Sequence, residues 1–268
     1  MPWVTRWLRE GVLTTRYPHD PDGYDPSYRA AVAVDRSAVA ANGKEGATGG
    51  ALGTLCPSGA ITSGGGRVVL DRGSCILCGR CVAARPDIFS FVPDIEQAAF
   101  HRSTLIVSSG GGDGDPDSVH QAREELAKRV KGLRRSVHIR HVDAGSDGSE
   151  EWEIAALNNP VYDIQRLGVF FTASPRHADL LLVTGAGSAG MAGPLRRTWE
   201  AMPAPKLVVA AGTDAISGGM LRSSYATRGG VSSIVPVDVW VPGSPPSPFS
   251  LLHAIITAVG MLPAAGDR

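Results

Sequence analysis

The sequence has no surplus of charge of either sign. Lys+Arg and Asp+Glu stand at 26 each in 268 residues, and only 19% of residues are charged. Nucleic-acid binders advertise themselves by a basic excess, so no nucleic-acid partner is expected, and no nucleic-acid motif is present. Long hydrophobic runs are missing too. The best of them, Phe249 to Leu262, is interrupted by Ser250 and His253 and falls short of the about 20 apolar residues of a membrane span. The first ten residues carry Arg6, Arg9 and Glu10 where a secretory signal needs an apolar stretch. A soluble chain is expected, or one held at a membrane only through partners. Cysteine is scarce, with four in the chain. Without an export signal these do not read as a disulfide framework, which leaves metal or cluster ligation. No nucleophile stands with a plausible base partner, so no catalytic residue is expected.

What is present suffices for a core, since 43% of residues are hydrophobic. The length suits one or two domains. Residues 1–16 place Trp3, Val4, Trp7, Leu8 and Val12 on one helical stripe, which predicts an amphipathic helix that docks on a partner or folds back on its own domain. A first domain is expected over 17–108. Residues 109–118 contain Ser109-Gly-Gly-Gly-Asp-Gly-Asp-Pro-Asp117, which can bury nothing and reads as a linker. A second domain follows over 119–268. It opens with a basic helix, Val119 to Leu133. The run from Ala127 to Val142 holds six Lys/Arg and no acid, which a solvated face explains.

From there strands and helices alternate. Strands are predicted at 137–142, 169–172, 180–184, 206–211 and 234–241, and helices at 150–158, 190–202 and 248–261. The alternation argues for a mostly parallel sheet with helices on both faces. The glycine-rich loops at Ala144-Gly-Ser146, Gly185-Ala-Gly187 and Gly212-Thr-Asp214 then fall at strand ends, where ligands bind such sheets. Gly185-Ala-Gly-Ser-Ala-Gly190 can be written G-x-G-x-x-G, but no acid sits about 20 positions on, so no nucleotide is expected. His138 and His141 are three apart on a strand and face opposite sides. His177 stands just before a strand and reads as structural.

The cysteines are concentrated in 26 residues: Cys56, Cys75, Cys78 and Cys81. Cys75-Ile-Leu-Cys-Gly-Arg-Cys81 is C-x2-C-x2-C. In bacterial ferredoxins this run continues x3-C-P, and the fourth cysteine serves the other cluster. Here that position is Arg85, followed by Pro86. Upstream, Cys56-Pro57 stands as the fourth cysteine of a first motif whose other three positions are Gly46, Gly49 and Leu52. The crossed wiring makes Cys56, Cys75, Cys78 and Cys81 one complete ligand set, with the other set erased. The segment resembles an 8Fe ferredoxin domain with a single [4Fe-4S] cluster left. Four-thiolate zinc is the competing reading.

The second half is similar to a known family. Arg134-Arg-Ser-Val-His-Ile-Arg-His-Val-Asp-Ala-Gly-Ser146, Asn158-Asn-Pro-Val-Tyr-Asp-Ile-Gln-Arg-Leu-Gly168, Ser174-Pro-Arg-His-Ala-Asp-Leu-Leu-Leu-Val-Thr-Gly185 and Pro242-Gly-Ser-Pro-Pro-Ser-Pro248 follow in order. They resemble the B-type (twenty-kilodalton) subunit of complex I and, more closely, the small subunit of membrane-bound group 4 [NiFe] hydrogenases and formate hydrogenlyases. The resemblance extends over about residues 133–262, and the first half resembles the ferredoxin-like subunit of the same complexes, so the chain looks like a fusion of the two. It implies an α+β ferredoxin-like domain followed by an α/β flavodoxin-like domain with a mostly parallel sheet. It also implies a partner like the hydrogenase large subunit or its complex I counterpart, the forty-nine-kilodalton subunit. Other subunits of a membrane-bound complex, and a place at the cytoplasmic face of the cell membrane, are implied with it. In the family the second half has its own [4Fe-4S] cluster. Here Asp147, Glu150, Asp214 and Ser244 stand at those four ligand positions, and hard oxygen donors are poor hosts for such a cluster. None is expected there. Either polar side chains fill the emptied site, or Asp147, Glu150 and Asp214 converge on a hard cation or a partner's arginine. Three nearby carboxylates could also share a proton, with raised pKa values. The resemblance implies an electron-transfer subunit. The alternatives are a scaffold subunit whose cluster transfers nothing and a free one-cluster ferredoxin with a recognition domain.

Overall fold

The structure is a computed structural model, and it describes Thr5, Arg9 and residues 11–20, 28–41, 51–111, 116–132 and 136–262. The second half forms a five-stranded, wholly parallel sheet of β6 (Val137–Asp143), β7 (Val169–Phe171), β8 (Leu180–Thr184), β9 (Leu207–Ala211) and β10 (Val239–Val241). Its order is β10-β9-β8-β6-β7, the doubly wound order of flavodoxin, with the switch point between β6 and β8. Leu-Leu-Leu-Val-Thr in β8 and Leu-Val-Val-Ala-Ala in β9 are buried at every residue. Parallel strands covered on both faces need such unbroken apolar runs.

One face of the sheet (Ile139, Leu180, Leu182, Val209) packs against the helix Pro248–Ala258 and Ile154 of the helix Ser149–Ala156. The other face (Leu181, Val183, Val208, Ala210) packs against Leu195 of Ala189–Ala201 and Ile216 of Thr213–Ser217. Ser247 caps Pro248–Ala258, its hydroxyl accepting from Ser250 N–H at 3.2 Å. That helix is apolar nearly all round because protein encloses it on all sides. No described helix is long and apolar enough to cross a membrane.

The first half is antiparallel. β1 (Ala31–Val34) pairs with β4 (Phe89–Val92), and β2 (Ile61–Gly64), β3 (Arg67–Asp71) and β5 (Ile106–Ser108) form a second small sheet. Val32, Leu52, Ile61, Val68, Leu70, Ile88 and Phe89 make its core. The basic helix spans Pro116–Val130, so it takes in residues 116–118 of the expected linker and ends short of the predicted Leu133; Ser109, expected to open that linker, instead pairs with Val68.

Two further expectations change. Only Val239–Val241 of the predicted strand 234–241 is extended; Val231–Ser233 is a 3-10 turn, Ile234 and Val235 are buried anchors, and Pro236 cannot donate to a ladder. Of the predicted helix 1–16, Thr5 and Arg9 are helical, and Trp3, Val4, Trp7 and Leu8 lie outside the described residues. Residues 11–16 are not helical, and Val12 is 86% exposed.

The halves are knit together. Ala99 and Trp240 exchange both backbone hydrogen bonds, at 2.9 and 2.8 Å. Tyr17 is buried in the second half's core, edge-on to Phe249. Its hydroxyl lies 2.8 Å from His253 Nδ1 and donates to Glu96 Oε1 at 3.1 Å. The hydroxyl thus ties the lead-in segment and the end of the first half to the last helix. Tyr17→Phe removes both bonds from a buried site. It is expected to cost about 1–3 kcal/mol of stability, read by urea or thermal unfolding.

Candidate metal centre

The short turn after β3 delivers the cysteine loop. Asp71 caps the 3-10 turn Arg72–Ser74, accepting from Gly73 N–H at 2.9 Å. Arg102 clamps the same carboxylate with two bonds of 2.8 and 2.6 Å. Cys75 follows at once. Leu77 then takes φ 54°, a left-handed conformation unusual for a leucine, and its N–H faces the Cys75 sulfur. The helix Arg80–Ala84 begins inside the motif and carries Cys81. Cys56 arrives from the other side, at the end of the helix Ala51–Leu55.

All four cysteines line one small recess, walled by Val32, Ile61 and Leu70. Burial pushes the Cys75 thiol up to about 11, and the sulfurs of Cys81, Cys56 and Cys78 push the same way. Burial likewise raises Cys81, with Cys56 and Cys78 adding to it. Sulfurs that oppose one another's ionisation form a donor set suited to a cationic group. Among the described residues, no three His, Cys, Asp or Glu side chains are gathered tightly enough to hold one metal ion. The erased motif is occupied otherwise: Leu52 is buried in the small core, and Arg85 forms a two-bond ion pair with Asp87. Gly46 and Gly49 lie outside the described residues.

The carboxyl ends of β6 and β9 bring acids together. Asp147 accepts from Ser149 N–H and hydroxyl at 2.9 and 2.6 Å. Those bonds hold its carboxyl below the usual range. Glu150 is 2% exposed. Burial pushes its carboxyl up to about 7, with the Asp214 and Asp147 charges adding to the rise against its own N–H and the Ser149 hydroxyl. Asp214 is raised by burial and by Asp147. Gly212, at φ 93°, is required beneath Glu150, since a Cβ there would overlap Oε1. Ser244 is exposed. The three acids therefore face one another electrostatically without gathering closely enough to hold an ion. Asp147 departs from the expected common rise because the start of Ser149–Ala156 supplies it with donors.

Sequence reasoning missed Glu151. It accepts from Thr184 Oγ1 at 2.5 Å and Ser146 Oγ at 2.8 Å, tying the two loops of the switch point together. His141 joins this network, with Nε2 3.0 Å from Thr184 Oγ1, and burial lowers its pKa. His138 faces Phe170 and Asp179 instead, and His177 is exposed.

Residues 148–258 match the family described as NADH ubiquinone oxidoreductase, 20 Kd subunit. The chain is 39% identical over 144 residues to a probable membrane-bound hydrogenase subunit, mbhJ, of Pyrococcus furiosus, covering 52% of this chain and 86% of that protein. The chain belongs to this NADH ubiquinone oxidoreductase subunit family. A further relative of similar sequence is formate hydrogenlyase subunit 7 of Escherichia coli (strain K12), 39% identical over 146 residues. That alignment takes in 54% of this chain and 56% of the relative, so the chain spans little more than half of that protein. Among solved structures, a chain of the membrane-bound sulfane sulfur reductase, an archaeal respiratory membrane complex, aligns with a TM-score of 0.44 at 30% identity, covering 49% of this chain and 73% of that one. The part matching the family contains Glu150, Asp214 and Ser244, and the four cysteines lie before it.

Proposed function

We propose that this family member is an electron-transfer subunit of a complex I-like or group 4 hydrogenase-related membrane complex. In this reading Cys56, Cys75, Cys78 and Cys81 hold one [4Fe-4S] cluster in a ferredoxin-like first domain, and Asp147, Glu150, Asp214 and Ser244 mark a site that holds none. The observation that carries it is the single recess lined by all four thiols, in a chain whose other half belongs to this family. A cluster of this kind supplies one-electron transfer and no bond chemistry. The chain's own residues set its surroundings: the Leu77 N–H faces a ligand sulfur, and Val32, Ile61 and Leu70 keep water from one side. Zinc would need all four sulfurs about 2.3 Å from one ion.

Docking of a hydrogenase-large-subunit-like partner is supported by the surface around the acids. Trp152, Met220, Leu221 and Tyr225 are exposed there, Tyr225 at 99%. These large apolar side chains flank the carboxyl ends of the sheet. The name of the Pyrococcus relative, a membrane-bound hydrogenase subunit, supports a place on a membrane complex.

The test is iron and acid-labile sulfide per chain on anaerobically prepared protein, with EPR after dithionite reduction. About four irons and one reducible signal are expected for a single cluster bound by four thiolates. Zinc without sulfide would overturn the reading. A cluster that dithionite cannot reduce would turn it toward the scaffold role.

A further inference from the structure

We propose that Arg222 and Thr213, both from the α/β half, are positioning residues for the four-cysteine centre, and that the Arg222 charge makes the centre a better electron acceptor. The inference rests on the proposed cluster reading and adds to it what the second half does for the first.

The segment 213–222 touches both stretches that bring cysteines to the recess. Thr213 is fully buried, and its hydroxyl points at the Cys75 carbonyl at 3.0 Å and the Gly243 carbonyl at 3.0 Å. One turn on, Ile216 presses against Gly73, where a Cβ would lie 2.7 Å from its Cγ2. The loop bearing Cys75 is thus fixed on one side by Asp71 and Arg102 and on the other by Thr213 and Ile216.

Arg222 reaches the other ligand. Gly59 closes the Cys56 turn, donating its N–H to the Cys56 carbonyl at 3.1 Å. The Arg222 guanidinium lies against this glycine so closely that a Cβ would overlap Nη2 and stand 2.9 Å from Cζ. Gly59 also takes φ 63°, so only glycine suits both its conformation and its neighbour. Arg222 itself is held at φ 51°, a costly conformation for a side chain of this size. Its N–H donates to the Gly218 carbonyl at 2.9 Å, and the Thr227 hydroxyl bonds its carbonyl. The fold therefore fixes the Arg222 backbone beside the Cys56 turn, and the exposed side chain rests on Gly59. Among the described residues no carboxylate pairs with it.

The charge argument has a definite sign. Four thiolates bring four negative charges to the recess, and accepting an electron adds another. A cation resting on the Cys56 turn favours that addition, and solvent screens part of its effect because the side chain is exposed. Asp214, at a position where the family resemblance places a cluster ligand, lies in the same segment. In this chain that segment supports the neighbouring centre instead of ligating its own.

The experiment uses the full chain, prepared anaerobically, and reads iron content and the midpoint potential by dithionite titration under EPR. Arg222→Gln is expected to keep its iron and to be about tenfold harder to reduce, a negative shift of about 59 mV for one electron. Arg222→Lys, which keeps the charge without the flat guanidinium, is expected near the wild-type potential. Thr213→Val is expected to lose iron faster to a chelator. If Gln and Lys lower the melting temperature alike and leave the potential unmoved, the arginine merely packs on Gly59 and the charge role falls. If Arg222→Gln holds no iron, Arg222→Lys decides: iron at the wild-type potential upholds the proposal, and loss of iron despite the retained charge overturns it. Wild-type protein without iron would overturn the cluster reading itself, which separates the two failures.

Discussion

Cys75→Ser is expected to remove nearly all bound iron, from about four per chain to well under one. The position is central for geometric reasons. Cys75 follows the capped turn Arg72–Ser74, its sulfur faces the Leu77 N–H, and its carbonyl takes the Thr213 hydroxyl. Serine keeps the volume and the backbone contacts but offers a hard oxygen donor to a soft site. Loss of the bound group also has a structural cost. Cys56, Cys75 and Cys81 belong to the small core with Val32, Ile61 and Leu70, and the recess would collapse or flood. The antiparallel first half should therefore lose protection in hydrogen exchange. The parallel sheet, with its own cores on both faces, should keep its protection. Full iron retention in Cys75→Ser would remove Cys75 from the ligand set. Equal loss of protection in both halves would mean that the contacts through Ala99–Trp240 and Tyr17 bind them into one cooperative unit.

What the sequence disclosed follows from which physical signals are local. β8 and β9 are continuous apolar runs bounded by aspartate or lysine before and glycine after, and the predicted strands match both within a residue. The glycine loops at the strand ends were legible because only glycine tolerates the turns they make. Strand order was not, since nothing in a run of leucines names its neighbour. The family resemblance implies a flavodoxin-like fold, and the order itself is read from the structure. The cysteines were legible by spacing, and the structure brings them to one recess. The contacts that matter most for that recess were invisible. Thr213 and Cys75 are 138 positions apart, and Gly59 carries no mark that an arginine far along the chain will rest on it. The overlong strand at 234–241 failed for a local reason. Ile234 and Val235 look like strand residues, but they fill the core from a turn, and Pro236 separates them from the true ladder. The acids at 147, 150 and 214 were identified by alignment of motifs. Their unequal electrostatics depend on which carboxylate meets donors at the start of Ser149–Ala156 and which is buried.

That inequality gives the second large expected effect. Glu150 carries a folded-state pKa of about 7 against an ordinary 4.5. A carboxyl whose pKa is raised on folding binds its proton more tightly in the native chain, so stability is fully present below 4.5 and is lost as pH rises toward and through 7. At about 1.4 kcal/mol per pH unit for one proton, the loss is on the order of 3 kcal/mol across that window. Asp214, raised by burial and by Asp147, pushes in the same direction. Asp147, lowered by Ser149, acts only at more acid pH, where its stabilisation is lost on protonation. Glu150→Gln preserves the shape over Gly212 and removes the ionisation. The variant should match the wild type near pH 4.5 and exceed it by about 2–3 kcal/mol at pH 8. Urea unfolding at the two pH values measures this directly. A parallel pH profile in wild type and Glu150→Gln would mean that Glu150 is charged and compensated in the native chain. A flattened profile would mean that the fold holds a protonated carboxyl in the place where the family resemblance puts a cluster ligand.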